Sequence, residues 1–206
     1  MAEINKNSLF KLSYGLFVLS SESSACIINT CMQITDSPLT ISVAVNKNNA
    51  THDAVKKCKK FNVSVLSEKA TFDIFKHFGF QSSRDTDKFA SFDGKAVSEN
   101  ELYYITSGTN AFYSANVINE IDCGTHTLFI AEVTEALELT SDPSATYDYY
   151  HKNIKPRPEQ KSVGKWVCKI CGYVYEGDEL PADLSVRGAS IPQAILNDSN
   201  HFTFNH

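Results

Sequence analysis

Cys168 and Cys171 are separated by two residues and followed directly by Gly172. Two thiolates at this spacing point at one metal, and the glycine permits a tight turn with backbone N–H groups directed at sulfur. The same spacing also suits a thioredoxin-like redox pair, but that use needs a βαβ setting absent here. Four polar clusters lie upstream: Asn29-Thr30-Cys31-Met32-Gln33, Asn46-Lys47-Asn48-Asn49-Ala50-Thr51-His52, Ser82 to Phe89, and Gly124-Thr125-His126-Thr127. The first offers amides and a hydroxyl to the edge of a polar heterocycle. The second ends at an expected helix N-terminus and carries a lysine, amides and a hydroxyl, which equips it for a phosphate. The third supplies the cations Arg84 and Lys88, the fourth an imidazole beside backbone N–H groups. Each has a plainer structural reading. Asn46–Asn49 reads equally as a turn, Arg84 and Lys88 as a solvated face paired with Asp85 and Asp87, and His126 as a structural residue before an apolar strand.

No phosphate-binding or dinucleotide glycine motif, H-E-x-x-H or G-x-S-x-G is present, so the chain shows no nucleophile or metalloprotease signature. The elements that must position the clusters are mostly strands. LFKLSYGLFVLSS, ACIINTCMQIT, LTISVAVNK, FNVSVLS, AFYSANVINEID and HTLFIAEVTEALEL are rich in β-branched and aromatic residues, and several alternate with period two. Two helical patterns interrupt them. THDAVKKCKKF places Ala54, Val55 and Cys58 at helical spacing with Thr51 as expected N-cap, and TFDIFKHFGF runs from Thr71 to Gly79. Six strands with short helices predict a mainly β, closed or partly closed antiparallel barrel.

The 206 residues are 42% hydrophobic and 21% charged with net charge −5, which is globular chemistry and gives no support to nucleic-acid binding. No apolar run reaches the ~20 residues of a membrane span, and MAEINKNSLF lacks the pattern of a signal peptide. The expectation is a cytoplasmic protein with no membrane or nucleic-acid partner. The stretch KPRPEQKSVG has linker composition. The expected organisation is a barrel over 1–154, a linker over 155–164 and a separate segment over 165–206.

In order and wording, INTCMQIT, VAVNKNNATHD, FNVSVL, FGFQSSRDTDKFA and GTHTLFIAEV resemble the flavin reductase-like, FMN-binding split-barrel family, over roughly Ser8 to Tyr150. This family includes flavoredoxin and the flavoprotein half of high-molecular-weight rubredoxin. The resemblance implies a homodimer with FMN near the subunit interface. Carried over by position, Asn29, Thr30 and Gln33 would meet the isoalloxazine or ribityl chain. Asn46, Thr51 and His52 would surround the phosphate-bearing side, with Arg84 and Lys88 completing the anionic contacts. His126 would lie by the flavin where a donor or acceptor approaches, as the one catalytic candidate. Two positions depart from the family pattern: Ser83 replaces a small glycine before the arginine, and Thr125 separates Gly124 from His126. Tyr147, Tyr149, Tyr150 and His151 read either as a cover over the flavin or as a structural aromatic cluster.

KWVCKICGYVYEGDELPAD, residues 165–183, resembles the first half of rubredoxin. By that resemblance Cys168 and Cys171 are two of four thiolate ligands to iron, yet no cysteine follows Cys171, so this chain is not expected to hold the iron. Restoring one T before the Leu184 codon allows LSVRGASIP to read Phe-Ile-Cys-Pro-Arg-Cys-Lys-His-Pro, and Gln193 to Leu196 to continue Ala-Ser-Asp-Phe-Glu. Val186 and Ala189 fix the last two bases of the two new cysteine codons. Residues 184–206 are therefore expected to be the product of a single-base frameshift. The function implied is an FMN-dependent oxidoreductase passing electrons from NAD(P)H or a redox protein towards a rubredoxin-type iron and an acceptor such as a flavodiiron protein. Two alternatives stand beside it: a NAD(P)H:flavin or ferric reductase using the barrel alone, and a non-catalytic flavin-binding module with a zinc knuckle.

Overall fold

The computed structural model describes residues 4–156 and the strands 165–168, 174–176, 185–186, 189–190 and 202–205. The chain divides into two compact units, Met1–Pro156 and Arg157–His206. In the first, seven strands form one antiparallel sheet: β1 Phe17–Ser21, β2 Ser24–Ile28, β3 Cys31–Asp36, β4 Leu39–Asn46, β5 Lys60–Leu66, β8 Thr109–Asp122 and β9 His126–Glu138. Their order is β2-β1-β5-β8-β9-β4-β3. The expected run 25–35 is two strands, broken at Asn29–Thr30, and only Phe17–Ser21 of the first expected run is extended; Lys6–Lys11 is a 3-10 helix.

The sheet curls onto itself. Cys26 and Ile28 of β2 share one core with Ile41, Val43 and Val45 of β4, though the two strands stand far apart in the sheet order. Phe61 and Phe129, both fully buried, fill the middle. The seam is joined where Thr30 Oγ1 donates to the Ala44 carbonyl at 2.8 Å. Helix α1 (Ala50–Cys58) closes one end by adding Val55 to the same core. Helix α2 (Phe72–Gly79) lies on the outer face, where Ile74, Phe75 and Phe78 pack with Val18 and Ala25. Strands β1 and β2 are thus apolar on both faces, which is why the first reads as an unbroken buried run. Thr71 is the α2 N-cap as expected, whereas α1 begins earlier than its sequence suggests, with Asn49 rather than Thr51 as N-cap.

A hairpin of β6 (Lys95–Val97) and β7 (Tyr103–Ile105), not anticipated from sequence, docks on the polar outer face of β5. Asn62, fully buried, donates to Ser98 Oγ at 2.7 Å and to the Leu102 carbonyl at 3.1 Å, and accepts from Asn100 at 2.8 Å. In the second unit β10 (Lys165–Cys168) lies between β11 (Val174–Glu176) and β14 (Phe202–Asn205), and β12 (Ser185–Val186) pairs with β13 (Ala189–Ser190). Cys168 ends β10; Cys171 and most of the linker lie outside the described residues.

Candidate functional site

Loop 46–49 enters α1 by turning on Asn46. Its Oδ1 accepts from the Asn48 N–H at 2.9 Å, and its carbonyl accepts from the Asn49 N–H at 3.0 Å. Asn46 is therefore the turn residue that aims the helix, as the plainer reading had it. Asn49 makes no side-chain cap bond, so among the described residues the Ala50 and Thr51 amides have no acceptor. They open onto a cavity of about 270 Å³ lined by Thr51, Ser82, Ser83 and Lys88, with Cys26 and Phe78 on its walls. A helix N-terminus carries partial positive charge and unpaired donors, the equipment an anion needs.

Lys88 is the defining residue of this cavity. It is 2% exposed, and its ammonium donates to the carbonyls of Ala25 and Phe78, each at 2.8 Å. No carboxylate of the described residues lies within 4.0 Å of it. It is not part of a solvated face, and Asp87 caps the Phe89 and Ala90 amides instead of pairing with it. Burial lowers its pKa below the ordinary 10.5, opposed in part by the nearby Cys26, while two carbonyls accept from the ammonium. Hydroxyls surround it. Thr51 Oγ1 meets Ser24 Oγ at 2.9 Å, and Ser83 Oγ bridges the Ala25 N–H and carbonyl at 3.2 Å each. Cys26 on the wall is inert, its thiol pushed up to about 11 by burial.

Arg84 and His52 neighbour lining residues in sequence but do not line the cavity themselves. Arg84 Nη2 donates to Asp53 Oδ2 at 2.8 Å, not to Asp85. His52 is 5% exposed and both ring nitrogens are engaged: Nδ1 with Asp53 Oδ1 at 3.1 Å, and Nε2 with Thr127 Oγ1 at 2.9 Å. Both nitrogens of this enclosed ring are thus engaged within the protein. Asp53 is held below its usual 3.8, first by His52 and then by Arg84.

A second group forms along β4. Asn46 pairs directly with His126 of β9. His126 is half-buried, and its Nδ1 meets Thr125 Oγ1 at 2.9 Å. Asn29 sits half-buried at the bend between β2 and β3 and makes no side-chain hydrogen bond among the described residues, while the Thr30 hydroxyl is spent on Ala44. Gln33 belongs to neither group. It lies exposed on edge strand β3, donating to the Thr35 carbonyl at 3.3 Å, beside a cavity it shares with Tyr113. Tyr150 is buried against Phe75, ring centroids 4.4 Å apart, as a structural aromatic; Tyr147 meets Tyr14 and His151 edge-on. Sequence reasoning passed over Ser24 and Asp53. Ser24 sits at a strand start without a motif, and Asp53 reads as a helix-dipole residue.

The comparisons agree with this architecture. The flavin reductase like domain family matches residues 9–157, and the rubrerythrin, rubredoxin-like domain matches 166–183. The high molecular weight rubredoxin of Moorella thermoacetica is 34% identical over 84% of this chain and 83% of that protein. The ferric-chelate reductase (NAD(P)H) of Archaeoglobus fulgidus is 38% identical over 70% of this chain and 87% of its own. Among solved structures, a Streptomyces globisporus NADH:FAD oxidoreductase superposes with TM-score 0.63 at 20% identity, covering 70% of this chain and 92% of that one. An FMN-binding protein from Thermus thermophilus gives 0.60 at 17%, covering 68% and 78%. With a family match across most of its length and a curled seven-stranded sheet of the same fold, the chain belongs to the flavin reductase-like oxidoreductases and carries a rubredoxin-like segment behind the barrel.

Proposed function

We propose that this protein is an FMN-dependent oxidoreductase that passes electrons from NAD(P)H, or from a redox-protein donor, towards a downstream acceptor. The observation that carries the reading is Lys88: a buried cation without a carboxylate, facing a cavity that also receives two unpaired helix amides. A phosphate monoester fits this donor set in charge and in number of acceptors. Bound FMN would supply the two-electron chemistry, as a cofactor does in any flavoprotein. The chain's own contributions are separate. Lys88 and the Ala50 and Thr51 amides hold the phosphate, with Ser83 on the cavity wall beside them. Asn29, unpaired at the β2–β3 bend, offers an amide to the heterocycle. His126 stands across from Asn46, half-open to an approaching substrate. Its Nε2, with no partner among the described residues, is the nitrogen free to hold or pass a proton there.

The fused segment supports a destination for the electrons. Cys168 and Cys171 are half of a rubredoxin-type iron site, so electrons would leave the barrel for such an iron, and from it for an acceptor such as a flavodiiron protein, in a chain with an intact second half. The rubredoxin-like match stops at residue 183, which supports placing a change of frame there. We read 184–206 as that frame's product, and sequencing the gene and its transcript tests it: a Leu184–Pro192 codon set that cannot yield Cys-Pro-Arg-Cys refutes it. The barrel would then work alone as a flavin or ferric reductase, a reading favoured by the A. fulgidus relative, which this chain spans over 87% of that protein's length. Assembly as a homodimer in the cytoplasm completes the proposal. Steady-state oxidation of NADH and NADPH with FMN, then with ferric chelate or a rubredoxin as acceptor, tests the activity. Absence of nicotinamide oxidation and of reduction by any redox protein would leave a flavin-binding module only.

A further inference from the structure

One turn of α1 sends three consecutive side chains to three walls. Thr51 reaches the cavity and Ser24, His52 reaches β9, and Asp53 reaches the loop that carries Arg84. Successive helical residues are rotated by about 100°, so adjacent positions serve different partners. The last two contacts join into one chain: Thr127 Oγ1 to His52 Nε2 at 2.9 Å, His52 Nδ1 to Asp53 Oδ1 at 3.1 Å, and Asp53 Oδ2 to Arg84 Nη2 at 2.8 Å. Both carboxylate oxygens are used. His52 is packed against Phe129, ring centroids 5.7 Å apart, so the chain is anchored on the buried barrel core. Arg84, by contrast, is exposed on a loop, next to Ser83 of the cavity wall.

We infer that Asp53 is a positioning residue that fixes the Arg84 guanidinium beside the phosphate pocket, and that His52 and Thr127 hold Asp53 in place. The inference rests on the phosphate reading given above. An arginine has five N–H donors, and a single one is committed to Asp53 in this arrangement, so the others remain to face an anion. A long, flexible side chain loses much rotamer freedom on binding; a carboxylate that holds it beforehand removes that cost. Asp53 and the phosphate would both be anions. Arg84 stands as the partner of the carboxylate, which limits their repulsion, and the orienting effect sets the sign of the outcome.

The test is a double-mutant cycle read as the ratio of FMN to riboflavin affinity, measured by fluorescence quenching on the full chain. Riboflavin lacks the phosphate, so it reports folding and ring binding while the ratio reports phosphate recognition. Asp53→Ala is expected to lower the ratio about three- to tenfold with riboflavin affinity unchanged. In an Arg84→Gln background the same substitution is expected to change nothing, because its route of action is gone. Thr127→Val should lower the ratio in the same direction and also fall silent with Arg84→Gln. An unchanged or increased ratio in Asp53→Ala, or an equal loss in both backgrounds, overturns the inference. A wild-type protein that binds FMN and riboflavin equally overturns the phosphate reading beneath it.

Discussion

A buried ammonium without a carboxylate partner is costly, and the cost is relieved either by losing the proton or by meeting an anion. Lys88 is in that position, so its behaviour gives two expected outcomes. Lys88→Gln should weaken FMN binding about 10- to 100-fold, the range of a lost charge-assisted contact of about 1.5–3 kcal/mol, while leaving riboflavin binding near the wild-type value. The pH dependence has the sign opposite to an ordinary ion-paired lysine. Because burial sets the folded pKa below 10.5, the unfolded chain binds the proton more readily between the two values. The ligand-free protein should therefore gain stability from this residue as pH rises through that window. FMN affinity should fall over the same window as the positive charge is lost, and this alkaline fall should be absent in Lys88→Gln. Chemical denaturation and flavin titration from neutral to alkaline pH measure both. At this scale the sequence showed which residue types gather but not their state. Lys88 and Arg84 stand four apart in one loop, yet one is sealed under Ala25 and Phe78 and the other is tied across to Asp53. That distinction is tertiary and leaves no trace in spacing. His52 is similar: the partner of its Nε2, Thr127, lies far along the chain, so that contact could not be read from the motif.

At the scale of elements, the strands were legible because their periodicity and β-branched content are strong, and α2 because its caps and apolar face coincide. The break at Asn29–Thr30 was hidden, since ACIINTCMQIT is continuous in propensity and is divided only by the bend that closes the barrel at Ala44. The β6–β7 hairpin was missed because its strands are only three residues long, and its attachment combines polar contacts at Asn62 with the burial of Ile105 in the outer core. Asn62 is the centre of that attachment. Asn62→Ala should cost about 2 kcal/mol of stability, since it leaves the Asn100 amide and the hairpin carbonyls short of a partner. Gly108 before β8 has φ +67°, and a Cβ there would meet the Ala70 Cα at 2.9 Å and Ile74 Cδ1 at 2.7 Å. Gly108→Ala should accordingly destabilise by about 1–3 kcal/mol. Thermal or urea unfolding of each variant, with intact flavin binding as the control for native geometry, checks these values.

For the whole molecule, the barrel and the rubredoxin-like segment are separate compact units, matched by separate families. Their separation predicts that a chain ending at Pro156 folds and binds FMN within about twofold of the full protein, as expected of a domain with its own core. Loss of flavin binding on truncation would assign part of the site to the second unit. The fusion was visible in sequence because a C-x-x-C-G pattern differs so sharply in texture from the barrel strands before it. The proposed frameshift, with its second thiolate pair, can be read only at the level of codons. The central claim, a flavin barrel whose pocket around Lys88 takes the FMN phosphate, is tested most directly by titrating the purified full-length protein with FMN and with riboflavin. The account predicts saturable FMN binding at one site per chain and riboflavin binding weaker by at least about tenfold. Equal affinity for the two flavins, or no binding of either, would contradict it.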